Sequence, residues 1–149
     1  MTDELAETDT QLAAAVALAA PARLLEQPGV GTVVASAIVT AVGDNPEHML
    51  TEGTFAALAG TSPVDASSGK HRRHRLNRGG NRALNNAIWR IVMVRLRWDE
   101  TTPAYMARRT AEGKTKKEIV RSLKRYVARQ IWTIYRDSTA VTHVTPASP

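Results

Sequence analysis

Cysteine is absent from the 149 residues, which excludes a disulfide scaffold, thiolate catalysis and thiolate-held zinc. Aromatic residues make up only 5% of the chain, and a long apolar run is missing too. The longest nearly apolar stretch, Leu12 to Ala22, is too short to span a bilayer. The segment before it carries Asp3, Glu4, Glu7 and Asp9 where a secretory signal would be basic. No membrane partner is therefore expected, and the location to expect is the cytoplasm. With 43% hydrophobic residues, the chain can build one ordinary domain, or one domain plus an arm, without covalent staples; a second catalytic domain does not fit.

Acids supply the most telling absence. Residues 66–98 contain none, yet they hold nine bases (Lys70, Arg72, Arg73, Arg75, Arg78, Arg82, Arg90, Arg95 and Arg97) together with His71 and His74. Residues 1–65 are the reverse, with nine acids and a single base, Arg23. The whole-chain charge of +6 thus joins an acidic part of −8 to a block of +9, and residues 99–137 contribute a further +5. Cations packed this densely repel one another until a polyanion neutralises them. Arg outnumbers Lys in the block by eight to one, and guanidinium forks onto phosphate oxygens. Phosphate is therefore favoured over a merely solvated basic surface.

Periodicity predicts a mainly α protein, a compact helical domain with one exposed Arg-rich loop. Residues 4–26 are Ala- and Leu-rich and should form a helix in two pieces around Pro21. Thr32 to Val42 predicts an apolar helix, and Thr51 to Ala59 a short one that Gly60 can close. The stretch from Thr61 to Gly80 has no apolar period and contains Pro63, Gly69, Gly79 and Gly80, so a loop is expected there. Asn81 can cap a helix to about Trp98, with Leu84, Ala87, Ile88, Ile91 and Val92 on its buried face. A short helix starting at Thr102-Pro103 should end near Gly113. Thr115-Lys116-Lys117-Glu118 is a capping box opening the last helix, whose buried face is Ile119, Leu123, Val127, Ile131 and Ile134. The Thr-, Ser- and Pro-rich residues 138–149 are expected to be disordered.

Three motifs carry possible chemistry. Pro28-Gly29-Val30-Gly31 between two helices looks like a helix-hairpin-helix element, in which Gly29 and Gly31 would let the backbone approach a DNA phosphate and helix amides would bind it. A plain turn between helices, with acidic Glu26 and Asp44 nearby, accounts for the residues equally well. Gly113-Lys114-Thr115 is not a phosphate-binding P-loop, because Arg108 stands where that motif needs glycine and a helix precedes it in place of a strand. His71 and His74 lie three apart with Asp65 the sole nearby carboxylate, so they read as pH-sensitive additions to the basic loop and no metal site is expected.

Taken in order, Pro28-Gly29-Val30-Gly31, Ala56-Ala57-Leu58-Ala59-Gly60-Thr61-Ser62-Pro63, Ser67-Ser68-Gly69-Lys70 and Arg73 to Arg82 form a pattern across the chain. It resembles the C-terminal, serine-bearing domain of the insertion-sequence one-ten, one-sixteen and nine-oh-two family of transposases. These are also called DEDD transposases, and the pilin-gene inversion recombinases are their relatives. Thr102 to Tyr105, Glu112 to Lys117 and Arg121 to Arg129 fit the same pattern, and the resemblance covers roughly residues 24 to 135. It implies DNA transposition and recombination, with a serine nucleophile in the Ser-Gly motif: Ser68, with Ser67 as the alternative. Without the resemblance, a turn serine in a polar loop would be the plainer account of either. An exposed loop among cations suits the step, because cations stabilise both the alkoxide and the pentavalent phosphorus. Lys70, Arg72, Arg73, Arg75 and Arg78 are candidates for that role, and Arg82 joins them as a nucleic-acid contact.

The same resemblance implies a second, ribonuclease-H-like domain in which four separated acids hold divalent metal. The acids of residues 1–26 lie on one Ala-rich helix and cannot form that site, so Mg²⁺ is expected in the missing domain and no cofactor in this chain. Residues 1–23 then read as the end of a linking coiled coil, 24–137 as the serine domain and 138–149 as a tail. On this reading the chain is a truncated transposase domain that binds DNA and is not competent alone. A non-catalytic DNA- or RNA-binding remnant, or a competitor of full-length transposase, is the alternative. An element-encoded guide RNA would suit the basic block as well as DNA does, and the Ala-rich helix offers a route to a homo-oligomer.

Overall fold

The computed structural model describes residues 2–62 and 80–144. Seven α-helices and one 3₁₀ turn follow in chain order, with no strand among the described residues. They are α1 (Thr2–Ala19), α2 (Ala22–Leu25), α3 (Thr32–Asp44), the 3₁₀ turn (Pro46–Met49), α4 (Glu52–Ala59), α5 (Arg82–Trp98), α6 (Thr101–Ala111) and α7 (Lys116–Val144). The expected break at Pro21 separates α1 from α2. The last helix runs further than its Ser- and Thr-rich end suggested: no Gly or Pro interrupts the sequence before Pro146, and helix continues to Val144.

Local chemistry explains most boundaries. The Thr51 hydroxyl accepts from the Thr54 amide at 3.1 Å while the Thr54 hydroxyl accepts from the Thr51 amide at 3.2 Å, a reciprocal cap that opens α4. The Asn81 side chain accepts from the Leu84 amide at 2.9 Å and starts α5. After α5, the Asp99 carboxylate accepts from the hydroxyls of Thr101 (2.7 Å) and Thr102 (2.8 Å), and these bonds hold its carboxyl below the usual range. Thr115 and Glu118 form the expected box, the Glu118 amide donating to the Thr115 hydroxyl at 3.2 Å.

The core lies where α3, α5 and α7 meet. Leu84, Ala87, Ile88, Ile91 and Val92 repeat at helical spacing, so one face of α5 is wholly buried. It packs with Val34, Ile38 and Ala41 of α3, Phe55 and Leu58 of α4, and Val127, Ala128, Ile131 and Ile134 of α7. Leu123, expected in that face, is half-buried at its edge. The N-terminal helix packs against α3 and buries Val16, while Leu18 stays exposed. The Arg23 guanidinium reaches Asp137 of α7 at 3.1 Å, tying α2 to the last helix.

The α5 stripe continues to Arg95, which is 8% exposed. Its Nε donates to the Pro28 carbonyl at 2.9 Å and its Nη1 to Gln130 Oε1 at 2.8 Å. Desolvation pulls its pKa down while Asp99 and Tyr126 oppose the shift. One of the nine cations in the basic block is thus an internal strut between the α2–α3 turn, α5 and α7, and is not part of the surface.

Candidate nucleic-acid interface

The segment expected to carry the chemistry leaves the helical body at Ser62 and re-enters it at Gly80. Both roots are fastened. The Asn81 amide donates to the Leu58 carbonyl at 2.7 Å, and the Asn85 side-chain amide donates to the Ala59 carbonyl at 2.7 Å. Gly60 turns the chain with a φ of +72°, and a Cβ there would lie 2.8 Å from Asn85 Nδ2. The Asn85 carbonyl oxygen accepts from Lys124 Nζ at 3.0 Å, so α7 joins the same knot.

Beside these roots a groove of about 580 Å³ opens between α5 and α7. Gly60, Thr61 and Ser62 form its end, Trp89 and Met93 come from α5, and Lys116, Lys117, Val120, Arg121 and Lys124 come from α7. Lys117, Val120, Arg121 and Lys124 follow one another at intervals of three, one and three residues, which places them on one helix face. No carboxylate lines the groove. The acids of α7 are turned elsewhere: Glu118 bonds Thr115 and lies 3.9 Å from Lys114, and Asp137 binds Arg23 and Arg136.

The groove's electrostatics are unbalanced. Partial burial lowers the Lys124 pKa, and the charge of Arg121 lowers it further. The sign follows from linkage. Below its folded pKa the charged Lys124 costs stability, and the cost is relieved as pH rises toward the value of an unfolded lysine. An anion in the groove would reverse the shift by favouring the ammonium.

The sequence-derived site residues divide into two groups. Ser67, Ser68, Lys70, Arg72, Arg73, Arg75 and Arg78 lie outside the described residues. Arg82 is exposed at the first turn of α5, next to the re-entry point. Gly29 and Gly31, which the hairpin pattern treats alike, stand in different surroundings. Gly29 has a φ of +86°, and a Cβ on it would meet the Ile91 carbonyl oxygen at 3.1 Å and Ile91 Cα at 3.3 Å. The close approach that this glycine permits is to the protein's own α5. Gly31 is extended, would have nothing within 4 Å of a Cβ added to it, and precedes an α3 first turn without a side-chain cap or an acid. Gly29→Ala is therefore expected to lower unfolding free energy by about 2–4 kcal/mol, combining left-handed strain with overpacking. Gly31→Ala should stay within about 0.5 kcal/mol of the parent. Urea unfolding of the two variants checks the contrast, and equal losses would contradict it.

The groove cations were missed in the sequence, although the spacing of Lys117, Arg121 and Lys124 was visible there. That spacing cannot tell which α7 cations meet acids; in the folded chain Arg129 pairs with Glu52 at 2.8 Å, whereas no carboxylate pairs with Lys117 or Arg121 among the described residues. Nor do any three of His, Asp and Glu among the described residues stand together in a way that could hold a metal ion. No described helix is long and apolar enough to cross a membrane.

Comparison with known proteins gives a consistent result. Residues 22–107 match the family described as Transposase IS116/IS110/IS902. The insertion element IS110 uncharacterized 43.6 kDa protein of Streptomyces coelicolor is 32% identical over 118 residues, covering 78% of this chain and 29% of that protein. The insertion element IS900 uncharacterized 42 kDa protein of Mycobacterium paratuberculosis is 27% identical over 115 residues, covering 76% of this chain and again 29% of the relative. The chain thus spans less than a third of the length of these relatives. No solved structure matches it.

Proposed function

The chain belongs to the transposase IS116/IS110/IS902 family, and on that premise we propose that the α5–α7 groove and the adjoining 63–79 segment form a DNA-binding face used in transposition. Ser68 is the nucleophile on this reading, with Ser67 as the alternative. Its Oγ attacks phosphorus and forms a phosphoserine bond. The bond from phosphorus to a sugar oxygen breaks, and that oxygen takes up a proton as it leaves. Attack by a hydroxyl of another strand reverses the step and frees the serine. The chain alone binds DNA and does not exchange strands, because the resemblance puts the metal-assisted part of the reaction in a different domain.

What supports this reading most directly is the sorting of charge: four cations and no carboxylate line the groove at the roots of the basic segment. Each phosphate neutralised releases counterions, so affinity must fall with salt. For at least four contacts, log affinity should fall against log salt with a slope of about −4 or steeper. Fluorescence anisotropy with a labelled duplex between 50 and 200 mM KCl, on the order of the range where such slopes are measured, tests it. An affinity that does not change over that range would overturn the proposal.

A further inference from the structure

The groove is two-sided, and only one side is charged. Lys116, Lys117, Arg121 and Lys124 come from α7, while α5 presents Trp89 and Met93. Trp89 is 45% exposed although it lies on a helix whose opposite face is wholly buried. The other two tryptophans are already engaged. Trp132 donates its indole N–H to the Met49 carbonyl at 3.1 Å and has the Arg136 guanidinium 5.1 Å from its ring centre; Arg97 lies 5.4 Å from that of Trp98. No such cation covers Trp89 among the described residues. A duplex offers a groove phosphates and shields its bases, so an uncovered indole opposite a row of cations would gain little from it. An unpaired nucleotide matches both sides at once, phosphate toward α7 and base toward the indole.

We propose that the groove holds an unpaired nucleotide of a DNA strand, its phosphates on Lys117, Arg121 and Lys124 and its base stacked on Trp89. The assignment rests on the DNA-binding reading and narrows it, since a base reaches this groove only from a single-stranded or locally opened stretch. Polarisation of the site agrees: burial disfavours the Lys124 ammonium, and an incoming phosphate relieves that cost. Stacking is tolerant of sequence because every base has a π-face, so little base preference is expected at this position.

The test compares a 12-residue single strand of mixed sequence with an abasic strand of equal length and with a duplex, using the full chain, Trp89→Ala, Trp89→Phe and Trp98→Ala. Trp89→Ala should weaken single-strand binding about tenfold, leave the abasic strand unaffected and leave the salt slope unchanged. Trp89→Phe should restore most of the loss, and Trp98→Ala should have no effect, which separates stacking from a general loss of structure. Equal binding of the single strand by Trp89→Ala and the parent overturns the proposal, as does an equal loss on the abasic strand. A loss seen with RNA of the same sequence but not with DNA overturns the assignment to a DNA strand. Failure of the underlying reading looks different: neither strand nor duplex would bind in a salt-dependent manner.

Discussion

Ser68→Ala should abolish a covalent protein–DNA adduct on DNA carrying the element's ends, while Ser67→Ala should retain it. The argument is chemical. A serine hydroxyl is a weak nucleophile, and losing its proton while negative charge builds on phosphorus is feasible only where cations stabilise both oxyanions. The segment that carries Ser67 and Ser68 is dense in Arg, and its roots open onto the groove cations. Removing an uncharged hydroxyl leaves those cations in place, so both variants should bind DNA within about twofold of the parent. Binding retained and adduct lost is therefore the signature of a nucleophile. Denaturing gels of the cross-linked product decide the matter. Adduct surviving both substitutions would refute the assignment, and loss in Ser67→Ala alone would move the role by one residue. A module that only binds nucleic acid would form no adduct in any variant.

The double change Lys117→Gln/Arg121→Gln is expected to weaken duplex binding about a hundredfold at 0.1 M salt, since each charge-assisted contact is worth about 1.5 kcal/mol, or roughly tenfold. The salt slope should become shallower by about two, one for each phosphate that is no longer neutralised. Neither side chain meets a carboxylate among the described residues, so folding stability should change by no more than about 0.5 kcal/mol. Arg109→Gln is the matched control. It removes a charge that Glu112 already engages at 2.6 Å on a different part of the surface. Its effect on affinity should be about twofold or less, because a screened distant charge contributes little. If Arg109→Gln weakens binding as much as removing one groove cation does, net charge and not the groove governs recognition.

The helices were legible in the sequence because each carries its own punctuation. Asn81 stands one residue before α5, Gly60 one residue after α4, and Thr115 with Glu118 at the start of α7, and all three act in the folded chain as their chemistry requires. Long-range outcomes were less legible. Arg95 lies in the basic block yet is internal, because the period that buries Leu84, Ile88 and Ile91 reaches position 95 as well, and charge counting cannot see that period. Gly29 and Gly31 look equivalent as a motif. Their difference depends on Ile91, which arrives from a helix some sixty positions later in the chain. The groove is hidden for the same reason, since no local rule brings Trp89 to the face of Lys117, Arg121 and Lys124.

The amide of Asn85 serves two masters through one rigid plane. Its nitrogen fixes the Ala59 carbonyl at the departure of the 63–79 segment, and its oxygen receives Lys124 from the groove. The two bonds cannot be adjusted separately. An occupant that draws the Lys124 ammonium away takes a partner from the same amide that anchors the segment's root. The coupling is reciprocal: whatever free energy the groove's occupant transfers to the root, movement of the root returns to the occupant's affinity. The anchoring asparagine is thereby a place where engagement of a strand and the posture of the serine-bearing segment are expressed in one thermodynamic quantity.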